Sequence, residues 1–155
     1  MKYESYEKMI IDRLSCQELE VRTKELNDDE LNRFRQAKKP VVYVMYQGSD
    51  YSEPEELGVI AQKETMAFDI IIFARTQRGK TGVYSAFETV TKRLLGYREK
   101  GMRTPVIFQK FGYAAKIDDT YQYALQCSFT GYIVESDRQE ENVPLITGIT
   151  NNIQS

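Results

Sequence analysis

Two runs of strict two-residue alternation constrain this chain more than anything else in it. From Ile60 to Arg75, Met66, Phe68, Ile70, Ile72 and Ala74 fall on one side of an extended backbone, and Lys63, Thr65, Asp69, Ile71 and Phe73 on the other. Successive side chains of a strand point to opposite faces, so the pattern predicts a long strand, half-buried in its first part and more fully buried in its second. "YQYALQCSFTGYIVES" (121–136) repeats the pattern. Tyr121, Tyr123, Leu125, Cys127, Phe129, Gly131 and Ile133 fall on one side, and Gln122, Gln126, Ser128, Thr130 and Tyr132 on the other.

The segments around these runs supply partners. In "ESYEKMIIDRLS" (4–15), Tyr6, Ile10 and Leu14 recur every four residues, which predicts a helix with one apolar face. "ELEVRT" (18–23) is a short strand, and "NDDELNRFRQAKK" (27–39) a helix capped at Asn27 or Asp28 and stopped by Pro40. "PVVYVMY" (40–46) is apolar on both faces and predicts a central strand. "QGSDYSEPEELG" (47–58) is polar and carries Gly and Pro, so it predicts an exposed loop between two antiparallel strands. Val83, Phe87, Val90 and Leu94 form the stripe of another helix, ended by Gly96, and "TPVIFQKFGYAA" (104–115) is a strand leading to a turn at Asp118–Asp119. The order α-β-α-β-β-α-β-β predicts an α+β fold with a mainly antiparallel sheet, helices packed on one face and the other face more polar. Residues 1–136 are expected to form a single domain, and 137–155 a loosely held tail.

Chemistry is narrowed by what is missing. The 155 residues contain no histidine, which removes histidine-activated nucleophiles and histidine-ligated zinc. Cys16 and Cys127 are too few for a disulfide framework and have no metal spacing; both are expected as reduced thiols, Cys127 in the core. Asp28, Asp29 and Glu30 answer a helix dipole better than they hold a cation. A net charge of −2 builds in no general attraction to nucleic acid, and no run approaches the ~20 apolar residues of a membrane span. The N-terminus lacks the layout of a secretory signal, which points to a cytoplasm. These observations point away from an enzyme, with no catalytic, cofactor or metal residue assigned.

Gly79-Lys80-Thr81 is the one motif that argues otherwise. It matches the second half of a phosphate-binding loop between a strand and a helix, but Ala74 stands where the first glycine belongs, and neither "VVYVMYQG" nor "PVIFQKFG" ends in a magnesium-binding acid. Turn chemistry explains the residues: Gly79 and Gly82 permit positive φ, and Thr81 is placed to cap the helix. A small nucleotide-binding protein using this loop remains the alternative, and a monomeric adaptor a third reading.

In its larger setting the loop fits a different pattern. An N-terminal amphipathic helix is followed by "PVVYVMYQG", "IIIFARTQRGKTGVY", "SAFETVTKRLLG" and "YQYALQCSFTGYIVE". Ala74-Arg75, Arg78-Gly79 and Gly82-Val83-Tyr84, then Glu88, Val90, Leu94 and Leu95, and the Tyr-rich run from Tyr121 to Phe129 carry the likeness. Over about residues 4–134 this resembles the Mu-like prophage tail protein family, similar to phage tail terminator (tail completion) proteins. The resemblance implies a structural subunit that forms a ring, commonly a hexamer, and docks to tail tube, sheath or head–tail connector proteins. It implies a place in the host bacterial cytoplasm during assembly and then in the virion tail, with no specific nucleic acid beyond DNA passing a ring lumen. The residues expected at partner contacts are Tyr51, Arg75, Arg78, Lys80, Gln122, Gln126 and Tyr132.

Overall fold

The computed structural model describes residues 2–23, 38–56 and 58–135. The helix expected over 27–39 lies largely outside the described residues, and the tail expected over 137–155 lies wholly outside them. Within them the order is α1 (Lys2–Leu14), β1 (Glu20–Thr23), β2 (Val41–Tyr51), β3 (Glu55–Glu56), β4 (Ile60–Ala74), α2 (Val83–Leu94), β5 (Ile107–Ile117) and β6 (Thr120–Val134). The strands form one sheet in the order β1-β2-β4-β6-β5, with the two residues of β3 pairing with the start of β4. Only β1–β2 is parallel; every other pairing is antiparallel. The fold is α+β, as the order of elements predicts.

The alternation in β4 and β6 sets the layers. Met66, Phe68, Ile70 and Ile72 of β4 lie opposite Phe129, Cys127, Leu125 and Tyr123 of β6, and all eight are buried on one face. Val42 and Val44 of β2 continue that face. Two helices cover it: α1 contributes Met9, Ile10 and Leu14, and α2 contributes Val83, Ala86, Val90 and Leu94. The helix ends are tied crosswise, since the Arg13 Nε donates to the Arg93 carbonyl at 2.6 Å and the Arg93 Nε donates to the Arg13 carbonyl at 2.8 Å. Each guanidinium thus satisfies a C-terminal carbonyl of the other helix, where a positive charge is favoured. The opposite face carries a smaller buried cluster of Val41, Tyr43 and Phe73, flanked by Ile71.

The loop expected over 47–58 is shorter than its composition suggests. Residues 47–51 continue β2, with Gly48–Tyr51 pairing with Glu64–Ala67, and β3 occupies part of what remains. The reason is a β-bulge: the register shifts between Tyr46 and Gly48, and Gly48 has φ 136, a value that disfavours residues with a Cβ. The extra residue reverses the facing of everything after it. Gln47 points to the outer face, while Ser49 and Tyr51 return to the helix face opposite Met66 and Glu64. A strict alternation cannot run through such a step, so the strand reads as irregular.

Candidate interaction surface

The loop after β4 is stiffened by its own backbone. The amide of Gly82 donates to the Gly79 carbonyl (3.1 Å), that of Val83 to Thr76 (3.0 Å) and that of Tyr84 to Gln77 (3.0 Å). The Thr76 hydroxyl donates to the Arg78 carbonyl at 2.8 Å, and the Gln77 side chain to the Tyr123 hydroxyl at 2.8 Å. Gly79 has φ 89, as expected. Gly82 does not need positive φ; its φ is −90, and it is glycine because a Cβ would lie 2.5 Å from the Arg78 oxygen. Nor does Thr81 cap α2. The cap position is Gly82, with no side-chain bond, because loop carbonyls already accept from the first helical amides.

That arrangement bears on Gly79-Lys80-Thr81. A phosphate-binding loop aims its amides and the first amides of its helix at the ligand. Here those of Gly82, Val83 and Tyr84 are taken by carbonyls of the same loop, and β4 lies between two antiparallel neighbours, β2 and β6. What the loop presents is charge: Arg75, Arg78 and Lys80 are exposed. Arg78 lies over the Tyr84 ring at 5.7 Å, whereas Arg75 and Lys80 have no ion-pair or hydrogen-bond partner among the described residues.

Gln122, Gln126 and Tyr132 share the outer face of β6, away from the helices. Gln126 is exposed and lies opposite Asp69 in register. Asp69 accepts from the Gln47 side chain through Oδ2 at 2.8 Å, while its Oδ1 is buried with no hydrogen-bond partner. Burial pushes the Asp69 carboxyl above the usual range, and the Gln47 bond only partly offsets it. Ionised Asp69 therefore costs stability above its folded pKa, and the cost fades as pH falls towards the ordinary Asp value. Asp69→Asn is expected to raise the melting temperature at pH 8, with the gap to the parent closing on acidification; scans at several pH values check this. Tyr132 stands further along β6, with the Arg103 guanidinium 4.6 Å from its ring and its hydroxyl 3.4 Å from a Glu55 oxygen.

Tyr51 lies at the end of the sheet remote from the cationic loop, on the helix face, beside a group that sequence reading missed. Glu64 is fully buried. Its Oε1 accepts from Lys2 Nζ, and its Oε2 from Tyr3 (2.7 Å), Ser49 (2.7 Å) and Tyr51 (3.4 Å). Burial alone would raise its pKa, but the bonds from Lys2, Tyr3 and Ser49 and the Lys2 charge together hold it below the usual carboxylate range. The carboxylate in turn, with burial, pushes the Tyr3 hydroxyl well up, so Tyr3 stays a donor. The available signal was parity: Glu64 continues the Met66–Ala74 side of β4 into the buried layer.

The seven expected contact residues thus fall in three places: the cationic loop, the outer face of β6 and the arm that carries Tyr51. Cys16 and Cys127 are free thiols, and burial, with the Asp69 charge, pushes Cys127 up to about 12. Among the described residues no group of three His, Cys, Asp or Glu side chains is placed to hold a metal ion, and no helix is long and apolar enough to cross a membrane.

Fold and surface together define an α+β protein whose described polar features lie at the ends and outer face of one sheet. The chain belongs to the Gp37 protein family, a phage-associated family whose sequence model matches residues 10–152. None of the curated proteins matches it.

Proposed function

We propose that this protein is a structural subunit of a phage tail, of tail-terminator type. It acts by closing into a ring of its own copies and docking to tail tube, sheath or head–tail connector proteins, without a catalytic step. It would assemble in the bacterial host's cytoplasm and remain in the virion tail. The observation that carries this reading is the loop of residues 75–82, whose internally bonded backbone holds three exposed cations outward. A surface ordered before binding loses less entropy when a partner arrives. Membership of a phage-associated family supports the same reading, as does an outer sheet face bearing Gln122, Gln126 and Thr130.

The test replaces Arg75, Arg78 and Lys80 together by serine. None is buried or ion-paired, so the variant is expected to fold and melt like the parent. Complementation of a phage lacking the gene, followed by electron microscopy, is expected to show tails without a completed head-proximal end. Normal tails and normal infectivity would remove the basis for the proposal.

A further inference from the structure

The long antiparallel pair of β4 and β6 separates two surfaces of opposite charge. The fifteen residues of β4 span about 50 Å at roughly 3.3 Å each. At the start of β4, the stretch from Gly48 to Gln62 carries Asp50, Glu53, Glu55 and Glu56 and no lysine or arginine. Asp50 and Glu53 are exposed, and neither side chain has a partner among the described residues. At the far end of β4 stand Arg75, Arg78 and Lys80, and the register of β5 on β6 brings Lys116 level with Ala74. Each end also offers apolar surface beside its charge: Tyr51 and Ile60 at the acidic tip, Tyr84 and Ile117 at the basic end, all about half exposed. Lys63 and Arg103 at the first end and Asp118–Asp119 at the second dilute the two fields, and Lys2 at the first end is committed to buried Glu64.

We propose that copies of this chain meet head to tail, the acidic tip of one against the basic end of the next. The inference rests on the self-association reading above and names its contact. Opposite charge at the two ends of one rigid sheet steers and orients encounter more than it adds affinity, and apolar neighbours supply the area to bury. Such a contact uses different patches on the two copies, so repetition closes a ring or grows an open filament according to the rotation per step. Nucleic acid would also be drawn to the cations, but it leaves the acidic tip without a role.

The test uses the full chain, followed by sedimentation velocity over a concentration series at low and high salt. Asp50→Lys with Glu53→Lys, and separately Arg75→Glu with Lys80→Glu, are each expected to weaken self-association roughly tenfold. Melting like the parent's would show both variants folded. Mixing the two reversed variants is expected to restore association, because each supplies the charge that the other lost. Reversals that associate like the parent, or weakened variants that mixing does not rescue, would overturn the head-to-tail contact while leaving self-association intact. A parent that stays monomeric throughout would overturn both. Binding of a short DNA duplex, lost on reversing Arg75 and Lys80 while self-association is unchanged, would assign the basic end to nucleic acid instead.

Discussion

Replacing Glu64 by alanine is expected to cost roughly 2–3 kcal/mol of stability at pH 7. The carboxylate is wholly buried and joins three elements: Lys2 and Tyr3 of α1, Ser49 and Tyr51 of β2, and its own strand β4. Alanine removes the acceptor shared by the Tyr3 and Ser49 hydroxyls and leaves Ser49 only its neighbour, the Tyr46 hydroxyl. Lys2, about one-third exposed, can turn to water, which keeps the loss below that of a fully enclosed pair. The pH dependence follows from the depressed pKa of Glu64. Its contribution is complete above the unfolded value of about 4.3 and is lost as pH falls through the lower folded value. Urea unfolding of parent, Glu64→Ala and Glu64→Gln between pH 7 and pH 3 measures both. The advantage of the parent over Glu64→Gln is expected to shrink on acidification, and a difference that does not change with pH would contradict the assignment.

Phe68→Ala is expected to be more damaging, at about 3–5 kcal/mol. Phe68 is fully buried in mid-sheet, stacked on Phe129 at 5.6 Å between ring centres and tilted against Tyr46 at 5.3 Å. Those rings continue to α1 on both sides, since Tyr46 stacks on Tyr3 at 4.7 Å and Phe129 meets the edge of Tyr6 at 4.9 Å. Removing the central ring therefore opens a cavity between the sheet and the helix at once. Against a total stability of about 5–15 kcal/mol, the loss would bring the chain close to unfolding at 37 °C. Phe68→Leu, which keeps most of the volume, is expected to lose far less. Denaturant midpoints and near-ultraviolet circular dichroism read the effect. A loss below about 1 kcal/mol for the alanine variant would show that the neighbours collapse into the gap.

The two predictions differ in how far their residues could be read in advance. Phe68 belongs to an alternating series whose buried side is plain from Met66 to Ala74, and β4 and β6 follow that reading almost to their ends. The stripe of α2 and its stop at Gly96 were equally legible, because a 3.6-residue period and a positive-φ glycine are local properties. Glu64 was not, since its charge argued for solvent and only its position on the strand argued for burial. The partners that make burial tolerable come from residues 13 and 15 positions away on β2 and 61 and 62 positions away on α1. The cationic loop was legible as exposed, but not its backbone bonds, which account for Gly82 and leave Thr81 without a capping role.

Local pattern by itself therefore determined the two described helices, the long strands with their buried side and the α+β class, because each depends on spacings within a dozen residues. The end of β2, and β3 after it, stood where a loop was expected. Tertiary structure alone decided that β6 lies between β4 and β5, that a bulge at Gln47–Gly48 turns Ser49 and Tyr51 towards Glu64, and that the acidic and basic segments stand at opposite ends of one sheet. Those outcomes depend on which distant strands exchange hydrogen bonds and in what register. That choice is made by the burial and pairing of the whole chain, not by any one segment of it.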